Sequence, residues 1–555
     1  SKARESFLVC GFAVMVCMTL CLPNCCFAGF FGKSQSAVAE GSASKKKTPN
    51  RRRSVISIHR KAGQDDLLEA GRWIYRLVCT VDVEKVYTLQ RQIGKGSFAK
   101  VYSAQHKEMG YHRAVKKIRK PKSGANKGDI LNEIYALMDL DHPHIIRLSR
   151  MYDGEEFLYI VAELCNGPSL YERIAKGPMS EQEQGRALRH ILKAVHCCHA
   201  HYMGHYDIKP ENFMYSEPDL YCLKMIDLGL SSNFMQESGN FKGTCRYMAP
   251  EMFKGVYGPE ADIWSCSVIM FEMAARSNMI SSATPNAAVG KLVCTPKWIS
   301  CKYDEMKSFG VSDNCLSLLR QMLRIDRHMR ITALSALAHD YIVQTYTEDD
   351  APSEDSEKAL QVIRTMVPMF QNFASETVFT RAVLSLMVHI AGYITSETRA
   401  HRRAFAMLDR IGVGEISQEA IETALATHGL EVPDKLHEAF SAVALHNGYI
   451  TYSDFLAATF PRSLRCREDL CRRTFTLLDH NHDGVITSDD LEHVFLSRDE
   501  QDNRSYIRLI RDALAEAAGT VHGPKLTFED FQKLVLGGRK VILTSKRSMR
   551  SHSGF

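Results

Sequence analysis

Several kinds of hydrophobic patterning succeed one another along the chain. Residues 6–32 carry no charge, and Phe7 to Leu22 is nearly all apolar until Pro23-Asn24 interrupts it, a length that concerns a membrane. From Gly41 to about Gln64 the chain is rich in Ser, Lys and Arg, which predicts a linker. Between Tyr87 and Tyr341 lies a continuous globular region of about 250 residues that opens with strand-like alternation and continues in longer helical patterns. The acidic stretch Glu348 to Glu357 breaks that pattern and reads as a second linker. Ala359 to Ile394 then shows helical apolar spacing (Leu360, Ile363, Met366, Phe370; Phe379, Val383, Leu386, Ile390), with Pro368 dividing it. Beyond it the pattern is helical and repeats: Gly414-Glu415-Ile416, Gly448-Tyr449-Ile450, Gly484-Val485-Ile486 and Pro524-Lys525-Leu526. Their apolar members (416, 450, 486, 526) recur at a spacing that suits a helix–loop–helix unit of EF-hand size. Lys540 to Phe555 reads as a disordered tail.

Composition bounds the function classes. At 555 residues, 45% hydrophobic and 24% charged, the chain is too long for one core and suggests three or four folding units. Seventy basic against sixty-four acidic residues give +6, too weak and too mixed for a nucleic-acid-binding machine, so no nucleic-acid partner is expected. Seventeen cysteines, five of them between Cys10 and Cys26, favour a reducing compartment over a disulfide framework. The apolar segment can be a secretory signal with Lys2 and Arg4 before it, a membrane anchor, or a leader removed from the mature protein. Lys45–Lys47 and Arg51–Arg53 would keep the following chain in the cytoplasm. The expectation is a cytoplasmic protein, free or anchored at the cytoplasmic face of a membrane; the early cysteines are palmitate carriers or small apolar fillers.

Candidate chemistry begins at Ile93-Gly94-Lys95-Gly96-Ser97-Phe98-Ala99-Lys100-Val101, after a strand expected over Tyr87 to Arg91. Residues without bulk let backbone N–H groups close over phosphates, although such a loop alone marks a simple hairpin just as well. The order of the downstream motifs decides: Arg113-Ala114-Val115-Lys116, a helical Asn132-Glu133-Ile134, His205-Tyr206-Asp207-Ile208-Lys209-Pro210-Glu211-Asn212, Ile226-Asp227-Leu228-Gly229, and Met248-Ala249-Pro250-Glu251.

With these motifs the region resembles the eukaryotic protein kinase domain over its whole length. The resemblance implies an α+β, two-lobed fold, a small twisted sheet with one key helix above a larger helical lobe, with ATP in the cleft. It implies that Lys116 holds the α- and β-phosphates and pairs with Glu133, that Asp207 orients the substrate hydroxyl, that Asn212 and Asp227 hold magnesium, and that Lys209 lies near the γ-phosphate. Ile93 to Ala99, Val101, Ala162, Glu163 and Cys165 would line the nucleotide. Lys209 and Gly243-Thr244 look like Ser/Thr kinases acting on protein hydroxyls. Glu251 is expected beside Arg330, and Asp262 and Trp264 look structural. Ala99 replaces the usual third glycine, and Leu228 the usual Phe. Tyr206 replaces the arginine that in many kinases pairs with a phosphorylated activation loop, so phosphate on Ser231, Ser232, Ser238 or Thr244 is not expected to be required. Ala162 at the gatekeeper should leave a pocket behind the adenine. Ser169 stands where basophilic members carry an acid, while Glu211 is retained.

A calcium loop needs oxygen ligands at positions 1, 3, 5 and 12, a carbonyl at 7 and glycine at 6. Asp479, Asn481, Asp483, Val485 (by its carbonyl) and Asp490, with Gly484, meet this. Asp490 is one methylene shorter than the usual Glu, so calcium should bind more weakly and magnesium compete better. The units at 409–420, 443–454 and 519–530 lack ligands (Ile411, Val413, Ala420; Val443, Leu445; Gly519, Val521, Gly523) and read as structural EF-hands. A kinase domain followed by four such units resembles the calcium-dependent protein kinases of plants and protists, over about Tyr87 to Gly537. That implies Mg2+ and Ca2+ as cofactors and a junction helix that blocks the kinase until calcium moves it; Arg364 and Arg381 are almost the only basic residues there, so a plain packing helix competes with a pseudosubstrate. The division is 1–33 apolar leader, 34–86 basic linker, 87–341 kinase, 342–394 acidic linker and junction helices, 395–460 degenerate EF-hand pair, 461–538 pair with one competent loop, and 539–555 basic tail. The fold class is α+β with an all-α EF-hand region. The rivals are a calcium-independent kinase with structural EF-hands and a pseudokinase scaffold; Lys116, Asp207, Asn212 and Asp227 together argue against the scaffold.

Overall fold

The computed structural model describes residues 78–79 and 82–537, except 96–98, 109, 121–139, 219–221, 228–231, 234–242, 256, 346–352, 392–395, 445–447, 496–503 and 520–523. The leader, most of the basic linker, the tail, Glu133, Gly96, Ser97, Phe98 and Leu228 lie outside the described residues. No helix among the described residues is long and apolar enough to cross a membrane.

The small lobe is a six-stranded sheet in the order β1-β5-β6-β4-β3-β2: β1 (Val78–Cys79), β2 (Tyr87–Lys95), β3 (Ala99–His106), β4 (His112–Arg119), β5 (Leu148–Asp153) and β6 (Phe157–Ala162). Only β1 runs parallel to its neighbour. Strand β2 is longer than expected and carries the glycine-loop residues Ile93, Gly94 and Lys95 after an irregularity between Leu89 and Gly94. Alternation sends Val115, Ala104, Val161, Tyr152 and Tyr159 to the outer face, where Val83 of α1 (Val83–Val86) and Tyr87 cover them.

The large lobe packs around α2 (Glu181–Ala200), started by the Ser180 hydroxyl, and α3 (Glu260–Ala275), which is buried almost all round with Trp264 fully enclosed. Helix α2 approaches the end of the kinase region so closely at Gly185 that a Cβ would lie 1.9 Å from Thr345 Oγ1; only glycine fits there. Strands β7 (Met203–Gly204) and β10 (Ser232–Asn233) pair, as do β8 (Phe213–Tyr215) and β9 (Leu223–Met225).

The region expected to be split at Pro368 is instead one helix, α4 (Ser353–Ser375), followed by α5 (Val378–Ala391). Pro368 is exposed, so the carbonyl it leaves without an N–H partner faces water, where the loss is small. The break comes at Glu376-Thr377, with Thr377 Oγ1 accepting the Thr380 N–H. Helix α4 also begins inside the acidic stretch, which suits a helix first turn. Ile363, Met366, Phe370, Val383, Leu386 and Met387 are buried in one core with the four helix–loop–helix units, so both helices pack here. Helices α6 (Ser396–Leu408), α7 (Tyr452–Ala458), α8 (Glu468–Leu478), α9 (Ser488–Phe495), α10 (Arg504–Ala518) and α11 (Phe528–Val535), with the further helices Gln418–Thr427, Leu436–Ser441 and Arg462–Arg465, complete it. The repeated apolar positions are its seams: Ile416 pairs with Ile450 where β11 (Glu415–Ile416) meets β12 (Ile450–Thr451), and Ile486 with Leu526 where β13 (Val485–Ile486) meets β14 (Leu526–Thr527).

Candidate functional site

Lys116 sits mid-strand in β4, opposite Val101 and Ile160, on the sheet face opposite Val115. Its Nζ lies 3.0 Å from Asp227 Oδ1. The β8–β9 hairpin explains how two distant acceptors meet: Asn212 directly precedes β8, Asp227 follows β9, and the Ile226 N–H donates to the Asn212 carbonyl at 2.9 Å.

Asp207 is the hub. Its Oδ2 accepts from Lys209 Nζ at 2.6 Å, and its Oδ1 accepts from the Thr244 N–H at 3.0 Å and the Thr244 hydroxyl at 2.7 Å. Asn212 Nδ2 donates to the Asp207 carbonyl at 2.8 Å, which leaves Asn212 Oδ1 as an acceptor. Lys209 Nζ also reaches Thr244 Oγ1 at 3.0 Å. Lys116, Asp207, Lys209, Asn212 and Asp227 thus form one cluster, joined by Thr244, which the motif pattern marks as a Ser/Thr-kinase feature and a candidate for phosphorylation without placing it on Asp207. The oxygens of Asn212 and Asp227 are hard donors that fit magnesium.

Behind this loop stands Asp262, fully buried in α3. It accepts from the His205 N–H at 2.9 Å and the Tyr206 N–H at 2.7 Å, and its Oδ2 lies 2.8 Å from His199 Nε2. Burial pushes its carboxyl up, but the His199 hydrogen bond and neighbouring amides outweigh that and leave it below its ordinary value. These bonds hold Tyr206 at φ 63, which costs a non-glycine residue about 1 kcal/mol. The Tyr206 ring is buried edge-on to Tyr257, with centroids 4.9 Å apart. It fills space where the more usual arginine would offer a cation.

Ile93, Gly94 and Lys95 end β2, opposite Val101 and Lys100 in β3. Ala162 ends β6 between Ala114 and Leu148. Glu163 is turned away: its Oε1 accepts from Lys224 Nζ at 2.9 Å and the Arg147 N–H at 2.9 Å, and its own N–H donates to the Arg147 carbonyl. Any contribution to a nucleotide is left to its main-chain carbonyl. Cys165 is buried, which pushes its thiol up. Ser169 caps the helix Leu170–Lys176 in a capping box with Glu172. Glu251 and Arg330 form a buried fork, at 2.5 and 3.1 Å.

In the loop at 479–490, His482 and Gly484 adopt left-handed φ of 58 and 86. Asp479 accepts from the Gly484 N–H at 2.9 Å, Asn481 Oδ1 from the Asp483 N–H at 2.9 Å, and Asp483 Oδ1 from the Val485 N–H at 2.9 Å. Asp490 accepts the Thr487 N–H at 2.9 Å and the Asn481 N–H at 3.3 Å. Among the described residues no three His, Cys, Asp or Glu side chains converge to ion-holding distance. The donor set fits calcium, which would have to draw Asp490 off Thr487.

The first degenerate unit has another use. Asp409 accepts the Gly412, Val413 and Gly414 N–H groups at 2.8, 3.1 and 3.1 Å, while its own carbonyl accepts the Lys193 ammonium of α2 at 2.6 Å. Burial brings Lys193 down to about 8, with Asp409 opposing the shift. Gly414 at φ 86 lies against the Asp141 carbonyl, 2.6 Å from where a Cβ would stand. Asp141 takes the Ser453 N–H at 2.9 Å and Arg147 at 3.0 Å, and Glu217 takes Arg399 and Arg402. This loop, lacking a full set of calcium ligands, is pressed onto the kinase at Lys193 and at Asp141 and His142. No local signal marks such contacts: Lys193 shares its helix face with Arg189, His190 and His196, which reads as an ordinary polar face.

Comparison with known proteins adds a family match and three relatives. The family described as "Protein kinase domain" matches residues 87–342. Calcium-dependent protein kinase 7 of Arabidopsis thaliana is 27% identical over 468 residues, covering 82% of this chain and 84% of the relative. Calcium-dependent protein kinase 17 of the same plant is 29% identical (84% and 86% covered), and calcium-dependent protein kinase 5 of Plasmodium falciparum 28% identical (82% and 79%).

Proposed function

The chain belongs to the calcium-dependent protein kinase family, and from that premise we propose how its residues transfer the γ-phosphate of ATP to Ser or Thr hydroxyls of proteins. Lys116 draws the α- and β-phosphates toward the sheet. Asn212 and Asp227 would hold magnesium, which when bound offsets phosphate charge. Asp207, fixed by Lys209, Thr244 and Asn212, accepts the hydrogen bond of the incoming hydroxyl and aligns it with the γ-phosphorus. Lys209, beside it, compensates the charge that builds on the transferring group. The carrying observation is this convergence on Asp207. Its test is phosphate incorporation into a generic protein substrate: Asp207→Asn should bind ATP as wild type does and lose at least about a thousandfold in turnover; near-normal turnover contradicts the assignment.

Calcium enters at Asp479, Asn481, Asp483, Val485 and Asp490, in the second helix–loop–helix pair, whereas Asp409 belongs to the first. The contacts of Asp409 with Lys193, and of Asp141 with Ser453, need no ion, so the first EF-hand pair serves as a fixed mount and the second as the sensor. The apolar run Phe7–Leu22 with the basic clusters behind it supports attachment to the cytoplasmic face of a membrane. Release of the chain from membranes on deleting 1–33 tests that; unchanged membrane recovery refutes it.

A further inference from the structure

A cavity of about 30 Å³ lies between the small lobe and the EF-hand region, its lining including Tyr87, His106, Tyr111, Arg113, Arg150 and Arg473. Arg113 and Arg150 share strand parity with Val115 and Tyr152, so the cavity is on the outer face of the sheet, opposite Lys116 and the nucleotide. Arg473 and Leu477 come from α8, the helix that runs into the calcium loop.

Three arginines line the space, and among the described residues no carboxylate does. Arg113 is only 8% exposed. It donates from Nη1 to the His112 carbonyl at 3.0 Å and from Nη2 to the carbonyls of His389 and Ile390 at 3.4 and 3.3 Å, while its buried Nε has no partner among the described residues. Its charge lies over the Tyr111 ring at 4.4 Å, and that of Arg473 lies 5.7 Å from the same ring. Arg473 also has Asp469 at 3.4 Å, one turn back along α8. Surplus positive potential registers on His106: burial first, then Arg150, Arg113 and Arg473, bring its imidazole down to about 4.

A buried guanidinium with an unused donor, beside two partly exposed ones of the same sign, calls for a counter-ion. We propose that this cavity binds one small oxyanion, a phosphate or a single phosphoryl group, which ties the small lobe to the helix entering the calcium loop. Its size, enough for about two waters, suits one tetrahedral anion and excludes a nucleotide.

The test is titration of inorganic phosphate into the full chain, at ionic strength held constant with chloride, followed by calorimetry and thermal shift. Wild type should bind saturably. Lys116→Met, altered only in the nucleotide cleft, should bind equally, and Arg473→Gln, at a partly exposed position, should bind at least about tenfold more weakly. Arg473→Lys should fall between, because it keeps the charge and loses the fork, and circular dichroism should show all variants folded. Saturable binding that needs phosphatase treatment first identifies the anion as a phosphoryl group carried by the chain; binding without treatment identifies free phosphate. Absence of saturable binding in treated and untreated wild type, or binding lost in Lys116→Met and kept in Arg473→Gln, overturns the proposal.

Discussion

Replacing Asp262 should damage catalysis from behind the active site. Its carboxylate is fully buried and accepts two backbone N–H groups of the catalytic loop, while His199 Nε2 lies within hydrogen-bond reach. Asp262→Ala leaves the His205 and Tyr206 amides buried and unpaired, at about 1–3 kcal/mol each, so the large lobe should lose about 3–5 kcal/mol. Tyr206 at φ 63 would then relax, carrying Asp207 out of line. Asp262→Asn keeps one acceptor oxygen and should lose about half as much. Urea unfolding should rank wild type, Asn, Ala in that order. Steady-state kinetics should show kcat falling in the same order, with ATP binding little changed, because Lys116 and Asp227 lie on other elements. The pH dependence has a fixed sign. The native carboxyl is held below its ordinary value, so its contribution is present above the unfolded carboxyl pKa and fades as pH falls through the native one. Wild type and Asn should therefore converge in strong acid. An Ala variant within about 1 kcal/mol of wild type and with full kcat would refute the reasoning.

Ala162→Met should weaken ATP-competitive inhibitors with a bulky aryl group by at least about tenfold, since the added side chain fills the space beside Leu148 and Ala114; equal inhibition would deny the pocket. Asp490→Glu should tighten calcium binding several-fold in calorimetry, because the longer side chain reaches the ion bidentately, and unchanged affinity would show that Asp490 is not the limit. Glu272 is raised to about 7 by burial despite the Tyr247 hydrogen bond, so its native form disfavours ionisation and stability is lost as pH rises from the unfolded value through about 7. Glu272→Gln should thus stabilise at pH 8, by up to about 3 kcal/mol, and have no effect near pH 4; equal melting at pH 8 would contradict it.

What could be read in the sequence was whatever is local. The strand–turn–strand at 87–101, the segment from His205 to Asn212 and the EF-hand seams at Ile416, Ile450, Ile486 and Leu526 each carry their spacing within one stretch of chain. Pro368 misled because its effect depends on which way the helix faces, and at an exposed position the lost hydrogen bond matters little. Contacts between distant segments left no local trace: Thr244 on Asp207, Lys193 on Asp409 and the arginines around His106 join positions from separate elements. The role of the Asp409 loop is the clearest case. Its missing ligands read as a structural EF-hand, and its two left-handed glycines and its carbonyl are what the kinase surface receives.

The central claim is that calcium acts on the kinase through one loop. The direct measurement is phosphate incorporation into a generic substrate, with calcium and with chelator, by wild type and Asp479→Ala. Stimulation by calcium in wild type, abolished in Asp479→Ala with its basal activity kept, is the predicted result. Activity indifferent to calcium, or equal stimulation of both proteins, would contradict it.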